Sequence, residues 1–208
     1  MSMQYGFYID SDRCTGCKAC MAACKDKNNL PVGMNFRRVA EFSGGQWEKN
    51  TDGSWQNNVF AYYLSVSCNH CDNPLCVQVC PTKAHFKRQE DGLVIIDSNK
   101  CIGCGACAAA CPYGAPQLDK QLHKMRKCDA CIDRLKAGKN PACVDACPQR
   151  AIEFGEISEL RKLHGDLCAI APLPEAKQTS PNLAIKPNRN TQPCGTAGRV
   201  HFPLKLNS

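Results

Sequence analysis

Ile96-Asp97-Ser98-Asn99-Lys100-Cys101-Ile102-Gly103-Cys104-Gly105-Ala106-Cys107-Ala108-Ala109-Ala110-Cys111-Pro112 decides how the rest of the sequence is read. Its four cysteines stand at C-x2-C-x2-C-x3-C, and Cys14, Cys17, Cys20 and Cys24 repeat that spacing. Residues 9–24 and 96–111 align without a gap and agree at 11 of 16 positions. Two looser versions complete the pattern: Cys68, Cys71, Cys76 and Cys80 as C-x2-C-x4-C-x3-C-P, and Cys128, Cys131, Cys143 and Cys147 as C-x2-C-x11-C-x3-C-P. Asn73-Pro74-Leu75-Cys76-Val77 is echoed by Asn140-Pro141-Ala142-Cys143-Val144. The protein therefore reads as a duplicated unit, each copy carrying one tight and one stretched group.

The spacing has a mechanical reason. Iron corners of a cubane lie a few ångströms apart, so one tight loop supplies three thiolates, and a fourth cysteine, a helical step later, serves the neighbouring cluster. This is the bacterial ferredoxin run for [4Fe-4S]. Small residues between the ligands, as in Thr15-Gly16 and Ile102-Gly103, let backbone amides approach the sulfurs. Four groups thus imply four [4Fe-4S] clusters on sixteen cysteines, leaving Cys168 and Cys194 as free thiols. A zinc site also uses C-x2-C pairs, but four cysteines this close would crowd one tetrahedral ion. Disulfides suit loops this tight poorly. His70, inside Cys68-Asn69-His70-Cys71, is read as uncoordinated because its group already supplies four thiols.

Composition agrees. Of 208 residues 18 are cysteine, and without them the 43% hydrophobic content falls to about a third, thin for an aliphatic core. The formal charge is +7, from 26 basic and 19 acidic residues. That invites nucleic acid as a partner, but four oxidised clusters with their thiolates bring roughly −8 and reduce the net to about −1. No apolar run approaches the ~20 residues of a membrane span. The first residues show no secretory signal, and Arg37-Arg38 lacks the apolar stretch of a twin-arginine signal.

Strands are expected at residues 5–9 and 151–154, and a hairpin at 84–87 and 93–97 around Glu90-Asp91-Gly92. That hairpin would tie groups two and three together, though spacing alone also permits one with two and three with four. Strands over 36–42 and 59–66, joined past Gly44-Gly45 and Asp52-Gly53, form an inserted β segment, with Trp47, Trp55 and Phe60 read as core. Residues 158–164 read as a helix with Ser158 as N-cap and Gly165 as stop. The proline-rich tail from 172 is too polar to fold alone: either disordered or an arm ordered against a partner.

The order of the groups, with Cys68-Asn69-His70-Cys71-Asp72-Asn73-Pro74, Cys111-Pro112-Tyr113-Gly114-Ala115-Pro116 and Cys143-Val144-Asp145-Ala146-Cys147-Pro148, resembles the four-cluster subunits of molybdopterin oxidoreductases. Gln4-Tyr5-Gly6-Phe7, Asn58-Val59-Phe60-Ala61-Tyr62-Tyr63-Leu64-Ser65 and Leu160-Arg161-Lys162-Leu163-His164-Gly165-Asp166-Leu167 are similar to the iron-sulfur subunit family of anaerobic dimethyl sulfoxide reductases. The likeness spans almost the whole sequence. It implies an α+β fold of two ferredoxin-like two-cluster units, with an inserted β segment and an extended C-terminal arm. It also implies that group one pairs with group four and group two with group three.

The implied units are 1–24 with 120–165, and 59–119; residues 25–58 are the insert and 166–208 the arm. The implied ligand sets are Cys14, Cys17, Cys20 and Cys147; Cys24, Cys128, Cys131 and Cys143; Cys68, Cys71, Cys76 and Cys111; and Cys80, Cys101, Cys104 and Cys107. In related nitrate reductase subunits a tryptophan stands at the Cys104 position and gives a [3Fe-4S] centre, so cysteine here implies that all four are [4Fe-4S]. Lys25, where the other groups have proline, touches no ligand. The resemblance further implies a non-catalytic subunit that relays electrons from an integral membrane quinol-oxidising anchor to a molybdopterin catalytic subunit. That subunit would reduce dimethyl sulfoxide and related S- and N-oxides, or another acceptor in an equivalent reductase. The expected location is peripheral on the periplasmic face of the bacterial cytoplasmic membrane, without a signal of its own, a span of its own or a nucleic-acid partner. A zinc-binding, nucleic-acid-associated protein is the alternative of a different class.

Overall fold

A computed structural model describes residues 3–201, so positions 1–2 of the first expected unit and 202–208 of the expected arm lie outside the described residues. Five small sheets and six short helices surround the cysteine groups. Strand β1 (Tyr5–Asp10) is the middle of three, so both of its edges are paired: β10 (Ile152–Glu156) runs antiparallel on one side and β11 (Leu183–Lys186) parallel on the other, while Phe7 and Ile9 face the main core. Helix α6 (Ile157–His164) covers this sheet with Ile157 and Leu160, and His164 stacks on Tyr8 at 3.7 Å. A second sheet orders β12 (Arg199–His201), β2 (Arg38–Gly44) and β5 (Phe60–Val66), all antiparallel. Three hairpins follow: β3 (Trp47–Lys49) with β4 (Trp55–Asn57), β6 (His85–Lys87) with β7 (Val94–Ile96), and β8 (Gln117–Asp119) with β9 (Lys124–Arg126).

The cysteine groups share one local construction. In each, the third cysteine lies in a short helix and the fourth follows four residues later: α1 (Ala19–Lys27), α2 (Leu75–Gln78), α3 (Ala106–Ala110) and α5 (Ala142–Asp145). A further helix, α4 (Ile132–Lys136), follows Cys131 inside group four. The backbone repeats to the residue. Gly16 and Gly103 both have φ of +71°, and Lys18 and Gly105, His70 and Ala130, and Lys83 and Arg150 are matched left-handed positions. A side chain at Gly16 would strike the Tyr63 ring, and one at Gly103 the His123 carbonyl, each at 2.5 Å. Helix α1 packs on α5, and α2 on α3.

Several expectations change. The boundary at 58/59 runs between strands of one sheet, since Phe42 of the insert faces Tyr62 across β2–β5, and the boundary at 119/120 cuts the β8–β9 hairpin. Strand ladders, whose backbone groups must pair, ignore limits drawn from motif positions. Trp47 and Trp55 are not core: they are 62% and 60% exposed on the two-stranded β3–β4 ribbon, which has no sheet behind it, whereas Phe60 is buried. Ser158 lies inside α6, and its hydroxyl bonds to the Glu156 carboxylate rather than capping; Gly165 does end the helix. The described part of the arm is ordered on this protein itself. Leu183, Ala184 and Ile185 are buried beside β1, and the Tyr62 hydroxyl donates to the Ala171 carbonyl at 2.5 Å.

Candidate metal centres

Eight of the sixteen expected ligand cysteines line two pockets, four to each, and the other eight are buried. Cys14, Cys17 and Cys20 curl around a pocket that Cys147 closes from the start of the loop into β10, with Ile9, Val39, Ser65 and Ile152 also lining it. Cys101, Cys104 and Cys107 curl around a second, closed by Cys80, with His85 and Met125 beside it. In both, the fourth thiol comes from the partner group across a helix pair. The remaining eight are buried. Cys24 has Cys143 and Cys131 as electrostatic neighbours, and Cys128 has Cys24, Cys68 and Cys143; Cys71 and Cys76 have Cys68 and Cys111. Cys17 and Cys104 are the exposed members, one in each cavity ring.

All 18 cysteines are free, and Cys168 and Cys194 stand apart from the rings, half-buried. Burial pushes the metal-free thiols up: Cys14, Cys24 and Cys107 to about 11, Cys71 to about 12, and Cys128 well above its usual range. Thiolate ligation at neutral pH therefore displaces protons. The sulfurs are nonetheless prepared for negative charge. Backbone N–H groups of Ala115, Met125, Ala130 and Ala151 donate to Cys111, Cys101, Cys128 and Cys147 at 3.3–3.5 Å. Asn28 Nδ2 donates to Cys24 at 3.7 Å, and the Ser65 and Thr82 hydroxyls lie 3.5 and 3.8 Å from Cys20 and Cys80. Among the described residues, no three His, Cys, Asp or Glu side chains converge as a single-ion site. Thiols ringing a cavity, with amides aimed at sulfur, fit a multi-iron core in chemistry and in shape.

Sequence reading missed the cations at these sites. Arg37, Arg38 and Lys127 are buried among the thiols, although Lys and Arg usually stay at the surface. Arg37 donates from Nη1 to the Ser65 carbonyl and hydroxyl at 3.3 and 3.2 Å and from Nη2 to Ser67 at 3.0 Å, and lies over the Phe7 ring at 4.5 Å. Arg38 Nη2 donates to the Tyr113 carbonyl at 2.7 Å, and Lys127 Nζ to the carbonyls of Val94 and Cys128. No spacing signal marks these residues; only the fold puts them there. His70 is sealed with its Nδ1 accepting from Val94 N–H at 3.1 Å, and burial holds its pKa well below the usual value. His85, beside the second cavity, is lowered to about 4, chiefly by burial.

Residues 59–157 match the family described as a 4Fe-4S dicluster domain, and residues 5–26 a 4Fe-4S binding domain. These matches leave no support for the zinc reading. The protein is 57% identical to the B subunit of the anaerobic dimethyl sulfoxide reductase of Escherichia coli (strain K12), over 99% of its own length and all of the relative. It is 54% identical to the corresponding B subunit of Haemophilus influenzae, over 98% and 99% of the two lengths. A thiosulfate reductase electron transfer subunit of Salmonella typhi is 42% identical over 76% of this protein and 79% of its own length.

Proposed function

This protein belongs to the family of anaerobic dimethyl sulfoxide reductase B subunits, non-catalytic iron-sulfur electron-transfer subunits, and from that premise we propose that it holds four [4Fe-4S] clusters in a relay. The ligand sets are Cys14, Cys17, Cys20 and Cys147; Cys24, Cys128, Cys131 and Cys143; Cys68, Cys71, Cys76 and Cys111; and Cys80, Cys101, Cys104 and Cys107. A bound cluster supplies one-electron exchange without a proton or bond change at the protein. The protein's own residues do the rest: sixteen thiolates hold the iron, and the amides on Cys101, Cys111, Cys128 and Cys147 stabilise sulfur charge. The core around them excludes water. The two units arose by duplication, a reading supported by the matched left-handed positions in the paired groups.

One observation carries the reading: two thiol rings are fully buried, while each of the other two includes a single exposed cysteine, Cys17 or Cys104. A relay needs an entry, an exit and an insulated middle. Beside Cys104 the surface exposes Ile102, Leu118 and Leu122 together with Lys120, Gln121 and His123, whereas the equivalent rim at Cys17 carries Thr15 and Lys18; the larger share of exposed aliphatic side chains is at Cys104. The apolar rim suits an integral membrane quinol-oxidising anchor, and the polar one a molybdopterin subunit that reduces dimethyl sulfoxide and related S- and N-oxides. No helix among the described residues is long and apolar enough to cross a membrane. A peripheral place on the periplasmic face of the cytoplasmic membrane is consistent with that.

Iron and acid-labile sulfide analysis of the anaerobically purified protein, together with paramagnetic resonance of the reduced sample, tests the reading. Four four-iron clusters per molecule, with one altered or lost in Cys104→Ser, support it. Zinc without iron, or spectra unchanged in that variant, would overturn it.

A further inference from the structure

Arg37-Arg38 supplies no ligand to the relay, yet these are the two largest fully buried side chains among the described residues. They stand where β2 begins, and successive residues of an extended strand point to opposite faces. Arg37 is joined through the Ser65 hydroxyl to Cys20, in the first cysteine group, and Arg38 donates to the Tyr113 carbonyl, two residues past Cys111 of the third group. One buried dipeptide thus bonds toward a different cysteine group from each of its two residues.

Their bonding is incomplete for a structural tie. Arg37 Nε and Arg38 Nε and Nη1 have no partner in the protein, and among the described residues neither arginine forms a salt bridge with a carboxylate. A buried cation with idle N–H groups is costly unless a buried anion offsets it. Once the neighbouring cysteines are ligated as thiolates, they would supply that negative charge. A hydrogen-bonded link also joins Arg37 to a ligand: its Nη1 donates to Ser65 Oγ, which lies 3.5 Å from Cys20 Sγ.

We propose that Arg37 and Arg38 set the reduction potentials of the inner part of the relay. Arg37 acts on the clusters of Cys24/Cys128/Cys131/Cys143 and Cys14/Cys17/Cys20/Cys147, and Arg38 on that of Cys68/Cys71/Cys76/Cys111. Reduction adds one negative charge to a cluster already carrying about −2 with its thiolates. A fixed buried cation stabilises the reduced form more than the oxidised one and raises the potential. The ring of Cys80, Cys101, Cys104 and Cys107 has neither arginine among its neighbours and serves as an internal reference.

The inference rests on the four-cluster reading, and wild-type iron content and spin count judge that reading separately. The test is a redox titration followed by paramagnetic resonance on the wild type and on Arg37→Gln, Arg37→Lys, Arg38→Gln and Arg38→Lys. Each glutamine variant should lower the one-electron equilibrium constant of its own clusters about tenfold or more, ~59 mV, and leave the reference cluster unmoved. The lysine variants should recover most of the shift. Unchanged potentials, an equal shift at all four clusters, or equal shifts for glutamine and lysine would overturn the proposal. Should a glutamine variant lose clusters, retention of clusters and near-native potentials by the lysine variant supports it. Loss in both variants marks a purely structural role and overturns it.

Discussion

The two cavity-lining thiol rings begin from the same backbone and end in different surroundings. Cys14-Thr15-Gly16-Cys17 and Cys101-Ile102-Gly103-Cys104 share spacing and the same glycine conformation. The first opens into the large core, against β1, Val39, Ser65 and the Arg37 link, with the C-terminal arm behind β1. The second sits in a small separate core of Ala84, Val94, Met125 and its own cysteines, built from nearby hairpins and rimmed by exposed Ile102. A motif thus determines the ring, while segments from far along the sequence determine its insulation. The first ring is closed by a residue more than a hundred positions distant, Cys147 against Cys14; the second is nearly local.

Removing iron should have the largest effect and break both regions. Because thiols make up so much of both cores, chelation should abolish cooperative unfolding by calorimetry. If the contrast is real, amide exchange in the chelated protein should leave β1 protected longer than the β6–β7 hairpin. Next, Cys17→Ser and Cys104→Ser should each alter a single, different cluster, read by paramagnetic resonance; a common signal lost in both would merge the two rings. Leu183→Ala, in the strand that backs β1, should cost about 2–5 kcal/mol by denaturant titration and leave the reference cluster's spectrum intact. Gly16→Ala and Gly103→Ala should each cost about 1–3 kcal/mol from the left-handed backbone. Gly103→Ala should be the worse, because a backbone carbonyl yields less than the Tyr63 ring. The smallest effect belongs to Trp47→Ala and Trp55→Ala, within about 0.5 kcal/mol, since the β3–β4 ribbon packs on neither ring.

The 4Fe-4S character was legible because a cubane constrains ligand spacing more tightly than any core constrains hydrophobes. The strands at 5–9 and 151–154 and the hairpin before group three were legible from local pattern, and they lie where expected. What escaped was non-local. Trp47 and Trp55 look like core residues by type, and nothing in their neighbourhood says that no layer covers them. The tail looks too polar to order, but Leu183-Ala184-Ile185 needs only one free edge of β1 to bury itself. The positive charge was read as compensation for buried clusters in general. In fact three cations, Arg37, Arg38 and Lys127, are buried among the thiols, while the remaining basic side chains reach solvent to some degree among the described residues.

By itself, then, the sequence determined the spacing of four cysteine groups, their 4Fe-4S character and the internal likeness of residues 9–24 and 96–111, because metal ligation is read over a handful of adjacent positions. Only the tertiary structure decided which cysteines line a common pocket, that Cys17 and Cys104 are exposed, and that Arg37, Arg38 and Lys127 are buried. Those outcomes depend on strands and helices separated by up to two-thirds of the sequence, as Cys14 is from Cys147. Adjacent residues such as Arg37 and Arg38 acquire opposite partners only once β2 has been laid between the two units.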